Sequence, residues 1–213
     1  HVLSAKREGR LLLARAALAG GLRITLPAGD VITEPGRDAD EALSAWLGYP
    51  VRLAAADPGA APTFETQGDF YDDDSGTVTW EGVAGSWVDS RPVHLLTTAV
   101  LGNMAAERPD LDWSVERFRP NVLLDGTPQD LPEGQIDLAF DGVSLRVDKP
   151  CERCVMTTRP QPRADGNGGL PRQLDVLRHL QHTREGNFGV LARVVAGGRV
   201  QVGTGCRVAT ARG

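Results

Sequence analysis

The chain has 213 residues, 41% of them hydrophobic and 24% charged, ordinary values that exclude a disordered or collagen-like protein. With 23 basic and 28 acidic residues the net charge is −5, so no cationic excess exists to wrap a phosphate backbone and nucleic-acid binding is not expected. No apolar run reaches the roughly 18 residues of a membrane span, and Gly 25 with Pro 14 predict many short elements rather than a helical bundle.

The opening residues 1–7 lack the apolar core of a secretory leader, and the chain does not begin with Met. Residues 11–18 (LLLARAAL) suit a helix or a buried strand equally. Residues 22–26 alternate as a strand. A short helix is expected from Asp38 or Asp40, with Leu43, Trp46 and Leu47 on one face and Gly48 as its end. Residues 51–53 read as another strand. The small-residue stretch 54–61 marks the boundary between lobes, giving segments 1–60 and 61–213. The acidic run 71–76 lacks the alternation and closing Glu of a calcium loop, so it reads as a solvated turn before a strand at 77–80.

Residues 92–97 begin extended, and Thr97 or Thr98 can cap a helix running to Met104. Residues 115–125 read as a strand with a bulge at Pro120. Two strands, 136–140 and 143–147, flank Asp141-Gly142, a strong hairpin signal. The clearest helix follows Pro171, with Leu174, Leu177 and Leu180 spaced by three and Gly186 as its stop. A last hairpin is expected from 188–195 and 199–202. Helices interspersed among hairpins, without regular βαβ alternation, give an α+β, mainly β fold with a barrel-like core.

The chemistry concentrates in 149–158 (KPCERCVMTT). Three cysteines, Cys151, Cys154 and Cys206, cannot build a disulfide framework and fit a reducing, cytoplasmic setting. The Cys151/Cys154 pair has several readings. Zinc needs a second pair of ligands, which Cys206 and His94, His179 or His182 could supply only by accident of fold, since no second CxxC or HxxxH exists. A thioredoxin-like pair needs a following helix, which Pro160 and Pro162 oppose. A single reactive thiolate is favoured by Arg153, because an adjoining cation lowers a thiol pKa. Two ordinary half-buried cysteines remain the bland reading. Upstream, 116–124 (ERFRPNVLL) places Arg117 and Arg119 on one strand face. Two guanidiniums beside Asn121 suit a phosphate or a heteroaromatic ring, and equally a solvated face. His94 reads as a core histidine. His179 and His182 read as solvated on the last helix, Cys206 as a packed thiol, and the four tryptophans as packing residues.

The order RFRPN (117–121), then CERCVMTT (151–158), resembles the MOSC domain, found at the C terminus of molybdenum cofactor sulfurases, in the mitochondrial amidoxime reducing component and in actinobacterial MOSC proteins. SRPVHLLT (90–97), RPQP (159–162), RQLDVLR (172–178), NFGV (187–190) and VQVG (200–203) resemble the same family. The likeness runs over roughly residues 60 to 208, to a domain built of β-strands. Residues 1–60 resemble part of the β-barrel-like domain that precedes it, without its YPVKS-like and GDR-like segments.

The resemblance implies a molybdenum cofactor, a pterin dithiolene with a terminal phosphate. It makes Cys154 the metal ligand and catalytic residue, a thiolate suiting a soft, sulfur-held centre. Arg119, Asn121, Arg117 and Arg153 would contact pterin or phosphate. Asp89 would lie near metal and pterin, and Thr157 and Thr158 would support the ligand. Arg91 stands where a small residue is usual, beside the implied pocket. The implied activity is oxidoreductase chemistry on N-hydroxylated or N-oxygenated small molecules. No ferredoxin-like cysteine run is present, so electrons would come from an external ferredoxin, flavoprotein or cytochrome. The alternatives are a cofactor or persulfide-sulfur carrier using Cys154, and a non-catalytic scaffold.

Overall fold

The computed structural model describes residues 2–18, 20–69, 72–88, 90–126, 131, 136–163 and 168–210. Its internal contacts define two units, His1–Asp89 with Pro160–Pro162, and Ser90–Arg159 with Arg163–Gly213.

In the first unit a single 3-10 turn, Gly9–Leu13, precedes β1 (Arg15–Ala17). The leucine run therefore begins as a 3-10 turn and ends as an exposed strand, not the buried strand expected. Strands β2 (Arg23–Thr25) and β3 (Val31–Ile32) complete a three-stranded antiparallel sheet. Helix α1 spans Arg37–Leu47 and ends on the left-handed Gly48, as the sequence predicts. Its buried Ala39, Leu43 and Leu47 are turns apart on one face. Residues 51–53 form no strand. Val51 bonds Ser44 Oγ at 3.0 Å and Leu53 N donates to Asp40 Oδ1 at 2.8 Å, so α1 side chains satisfy the backbone that a partner strand would have held. Strands β4 (Thr63–Asp69) and β5 (Asp72–Glu81) pair antiparallel. Asp72–Gly76, expected as a turn, lies within β5, at a break in register between the Gln67–Thr77 and Asp69–Asp72 pairs.

The second unit is built on a six-stranded sheet, curled as a half-barrel, of order β13-β8-β9-β12-β6-β7. Its strands are β6 (Val93–Thr97), β7 (Val122–Leu124), β8 (Ile136–Phe140), β9 (Val143–Glu152), β12 (Asn187–Ala196) and β13 (Arg207–Thr210). Strands β8 and β9 form the expected hairpin, Phe140 opposite Val143 with Gly142 at φ 74°. Burial alternates along both, and Leu138, Leu145, Val147 and Ala192 fill the core. Between β9 and β12 the chain passes through β10 (Gln161–Pro162), β11 (Gly169–Leu170) and helix α4 (Leu174–Arg184).

Thr97 caps helix α2 (Thr98–Glu107) through a 3.1 Å bond from Val100 N, as expected. Pro171 lies ahead of α4 rather than in its first turn, because Gln173 takes the capping position. The last hairpin is also corrected. Residues 199–202 are not a strand; Gln201 and Thr204 close a turn through two bonds, and β13 pairs with β8. Gly198 fits there because a Cβ would lie 2.9 Å from Val143 Cγ2.

The largest departure is at 115–125. Val115–Phe118 is a helical turn, α3, not a strand, and only Val122–Leu124 extends as β7, parallel to β6. Asp112 accepts from Ser114 N and Oγ and starts the turn. Pro120 disfavours a helical conformation at Arg119, so the helix stops there. Arg119 takes φ 53°, ψ 49°, a left-handed conformation uncommon outside glycine.

Candidate functional site

The α3 turn separates the two arginines that a strand would have aligned. Arg117 is buried to 1% exposure. It donates to Thr157 O at 2.9 Å and Pro171 O at 3.2 Å, and lies 3.7 Å from Asp112. Burial lowers its pKa against the opposing pull of Asp112. It therefore ties the α3 turn to the segment after the cysteines rather than facing a ligand. Arg119 is exposed, and no carboxylate pairs with it among the described residues. Desolvation by surrounding protein nevertheless lowers its pKa. Asn121 is exposed; its Oδ1 accepts from His94 N and its own N donates to His94 O, both at 2.8 Å. The asparagine side chain thus extends the β6–β7 ladder, leaving its Nδ2 unbonded among the described residues.

Strand β9 delivers the cysteines. Cys151, in β9, is 7% exposed, whereas Cys154 is half-buried, in extended conformation, at the start of a 3-10 turn, Val155–Thr158. That turn is short and runs into Arg159-Pro160, so the helix a thioredoxin-like pair requires is absent. None of the three cysteines is in a disulfide, and no His/Cys/Asp/Glu group suited to a metal occurs among the described residues. The Cys154 backbone oxygen accepts from Thr157 N at 3.1 Å and Thr157 Oγ1 at 2.9 Å. Thr158 Oγ1 donates to Val155 O at 2.8 Å. Both buried threonine hydroxyls therefore close the turn that carries Cys154. The Cys154 thiol has no hydrogen-bond partner among the described residues.

Arg153 adjoins Cys154 in sequence but turns to Cys151. Its Nη1 lies 3.0 Å from Cys151 Sγ and 3.2 Å from His94 Nε2, and its Nη2 donates to Phe118 O at 2.8 Å. Its backbone N is held by Gly186 O, and its guanidinium lies over the Phe118 ring. The reason lies in strand geometry: alternate side chains of an extended segment leave on opposite sides, so adjacency in sequence sends the cation away from the neighbouring thiol.

His94 was not among the sequence-derived site residues, and it stands at the join. It is 8% exposed, and burial, then Arg153, lower its pKa to about 4. Trp113, Phe118 and Phe188 form one aromatic cluster, and the Phe188 carbonyl lies 3.4 Å from His94 Nε2. His179, expected solvated, instead meets the Trp113 ring edge-on, with its Nε2 3.2 Å from Glu107 Oε1. Its place on the inner side of α4 explains that burial. Cys206 packs against the core and its pKa is raised by burial. Arg91 is ion-paired to Asp148 at 2.7 Å. Asp89 lies outside the described residues. A cleft of about 400 Å³ between β6, the end of α4 and β12, lined by Leu95, Thr97, Glu185, Asn187 and Gly189, contains neither Cys154 nor Arg119.

One unit thus carries the Cys154 thiol, the Arg119 guanidinium and the Asn121 Nδ2 amide donor, each without a partner among the described residues, on segments joined by Arg153 and Arg117. A soft metal and an anionic, heteroaromatic ligand match that donor set. A MOSC domain profile matches residues 83–207, more than half of the chain, and the chain belongs to the MOSC domain family. It is 29% identical over 131 residues to mitochondrial amidoxime-reducing component 1 of Danio rerio. That alignment covers 58% of this chain and 37% of the relative, so the chain spans well under half of the relative's length. Among the described residues no helix is long and apolar enough to cross a membrane.

Proposed function

We propose that this MOSC protein binds molybdenum cofactor and reduces N-hydroxylated or N-oxygenated small molecules. The observation that carries the reading is Arg119. An exposed guanidinium without a carboxylate partner among the described residues, held in a left-handed turn and desolvated by its surroundings, has the form of an anion-binding group. The residues fit the cofactor in kind: a half-buried free thiol for a sulfur-loving metal, and cationic and amide donors for phosphate and pterin.

Cys154 would ligate the metal. Thr157 and Thr158 would hold its turn rigid, and Arg117 would anchor that turn through the Thr157 carbonyl. Arg119 and the Asn121 amide would bind the anionic and polar parts of the cofactor. Arg153 would order both segments. When bound, the cofactor supplies two-electron redox chemistry at a metal. Taking an N-hydroxyl group to N–H consumes two electrons and two protons and releases water. The electrons would come from a separate donor of ferredoxin, flavoprotein or cytochrome type, and three cysteines outside any disulfide suit a reducing compartment such as the cytoplasm.

The test uses cofactor-loaded protein with chemically reduced viologen and benzamidoxime. The reading expects conversion to the amidine, with Arg119→Ala lowering it through weakened cofactor retention. Loaded protein that reduces no N-oxygenated compound, but gathers a cyanide-releasable persulfide on Cys154 when supplied with a cysteine desulfurase, would replace the reductase by a sulfur carrier.

A further inference from the structure

His94 carries an inference that deepens the proposed site and rests on Arg119 being its anion-binding group. The imidazole occupies space that only glycine leaves open. Gly189 sits in a register shift of β12 at φ 80°, and a Cβ there would lie 2.7 Å from His94 Nε2 and 2.5 Å from Leu95 O. The ring is thereby set against Arg153. A guanidinium has donors only, so His94 Nε2 at 3.2 Å from Arg153 Nη1 is the acceptor and the ring is neutral. The other contact of that nitrogen, Phe188 O at 3.4 Å, is the longer one.

Through this contact and its backbone, His94 brackets the Arg119 turn from both ends. On the near side Arg153 Nη2 holds Phe118 O, the carbonyl before Arg119. On the far side Asn121 exchanges two bonds with the His94 backbone. Arg119 stands between these anchors, in a conformation that costs energy unless its surroundings impose it. The same Nη1 reaches Cys151 Sγ, so the bracket also ties the turn to the strand that delivers Cys154.

We infer that His94 is a positioning residue: its neutral imidazole fixes the Arg153 guanidinium, and through Arg153 the left-handed turn that presents Arg119 to an anionic ligand. The side chain does not itself touch that ligand. A space-filling histidine would be replaceable by any residue of similar bulk. A positioning histidine needs its acceptor.

The full chain with His94→Leu and His94→Gln separates these roles, since glutamine keeps an acceptor and leucine keeps only bulk. Two readouts are taken: amide exchange at Arg119 and Asn121 relative to Leu138 in β8, and calorimetric binding of inorganic pyrophosphate. The inference expects H94L to lose about tenfold in relative protection at the turn and about tenfold in pyrophosphate affinity, while H94Q stays within about threefold of the parent. Should H94L not fold, Arg153→Gln is expected to give the same pattern. Unchanged exchange in H94L, or equal losses in H94L and H94Q, overturns the inference. The exchange pattern with no pyrophosphate binding by the parent keeps the bracket and removes the anion-binding reading beneath it.

Discussion

Arg119 concentrates the argument in one side chain. A non-glycine residue in the left-handed region costs roughly 1–2 kcal/mol, and the backbone around it supplies that cost. Asparagine tolerates the same conformation better but lacks the cation. Arg119→Asn should therefore leave stability unchanged, or raise it by up to about 1 kcal/mol, while cofactor retention falls. Urea denaturation beside cofactor content checks both halves. A destabilised variant would show that the arginine serves the fold instead. His94 gives a pH signature. Its folded pKa of about 4 lies below the ordinary 6.5 because burial, then Arg153, disfavours the charged ring. Between those values the unfolded chain binds a proton that the folded chain does not. Stability is therefore full above pH 6.5 and falls as pH drops toward 4, by up to about 3 kcal/mol from this group. Comparing the parent with His94→Gln over that range isolates it, since other groups contribute alike to both. Identical slopes would place the His94 pKa near normal. At this level the sequence was only partly readable. The motifs single out Cys154, Arg119 and Asn121 as candidates, but that Arg153 faces Cys151 depends on alternation along an extended segment. That Arg117 is an internal clamp depends on a helical turn of four residues.

Elements with a strong local code were readable. The β8–β9 hairpin follows from Asp141-Gly142, α1 from its apolar spacing and Gly48, and α2 from the Thr97 cap. Elements decided by distant partners were not. Val115–Phe118 contains residues acceptable in a strand, and becomes helical because Asp112 and Ser114 start it and Arg117 finds buried carbonyls. Strand β13 lies beyond the expected hairpin because its partner is β8, far away in sequence. The β12 bulge was likewise not readable, since its cause is the His94 ring passing over Gly189. It gives a clear prediction. Gly189→Ala meets Leu95 O at 2.5 Å and a positive φ, so it should destabilise by at least about 2 kcal/mol. An alanine variant as stable as the parent in chemical denaturation would contradict the bulge geometry. Removing the Thr97 cap with Thr97→Ala should cost about 1 kcal/mol by the same measurement.

Across the whole chain, the order of two short motifs was the most informative feature. RFRPN and CERCVMTT lie far apart in sequence, yet both belong to the second unit and meet through Arg117, Arg153 and His94. The sheet explains how. Strand β12 lies between β9 and β6, so the end of β9, carrying Cys151 and leading to Cys154, and β6, carrying His94, flank the same bulged segment. Membership of the MOSC domain family agrees with this core, and the matched residues 83–207 contain every member of the network. Under the proposed function Cys154 is the one metal ligand, while Cys151 accepts a hydrogen bond from Arg153. Molybdenum per chain, measured on protein from a molybdenum-replete host, tests that directly. Cys154→Ser should abolish stoichiometric metal, whereas Cys151→Ser should keep most of it, because a serine oxygen still accepts from Arg153. Equal loss in both variants would indicate a two-thiol site, and undiminished molybdenum in Cys154→Ser would contradict the ligand assignment outright.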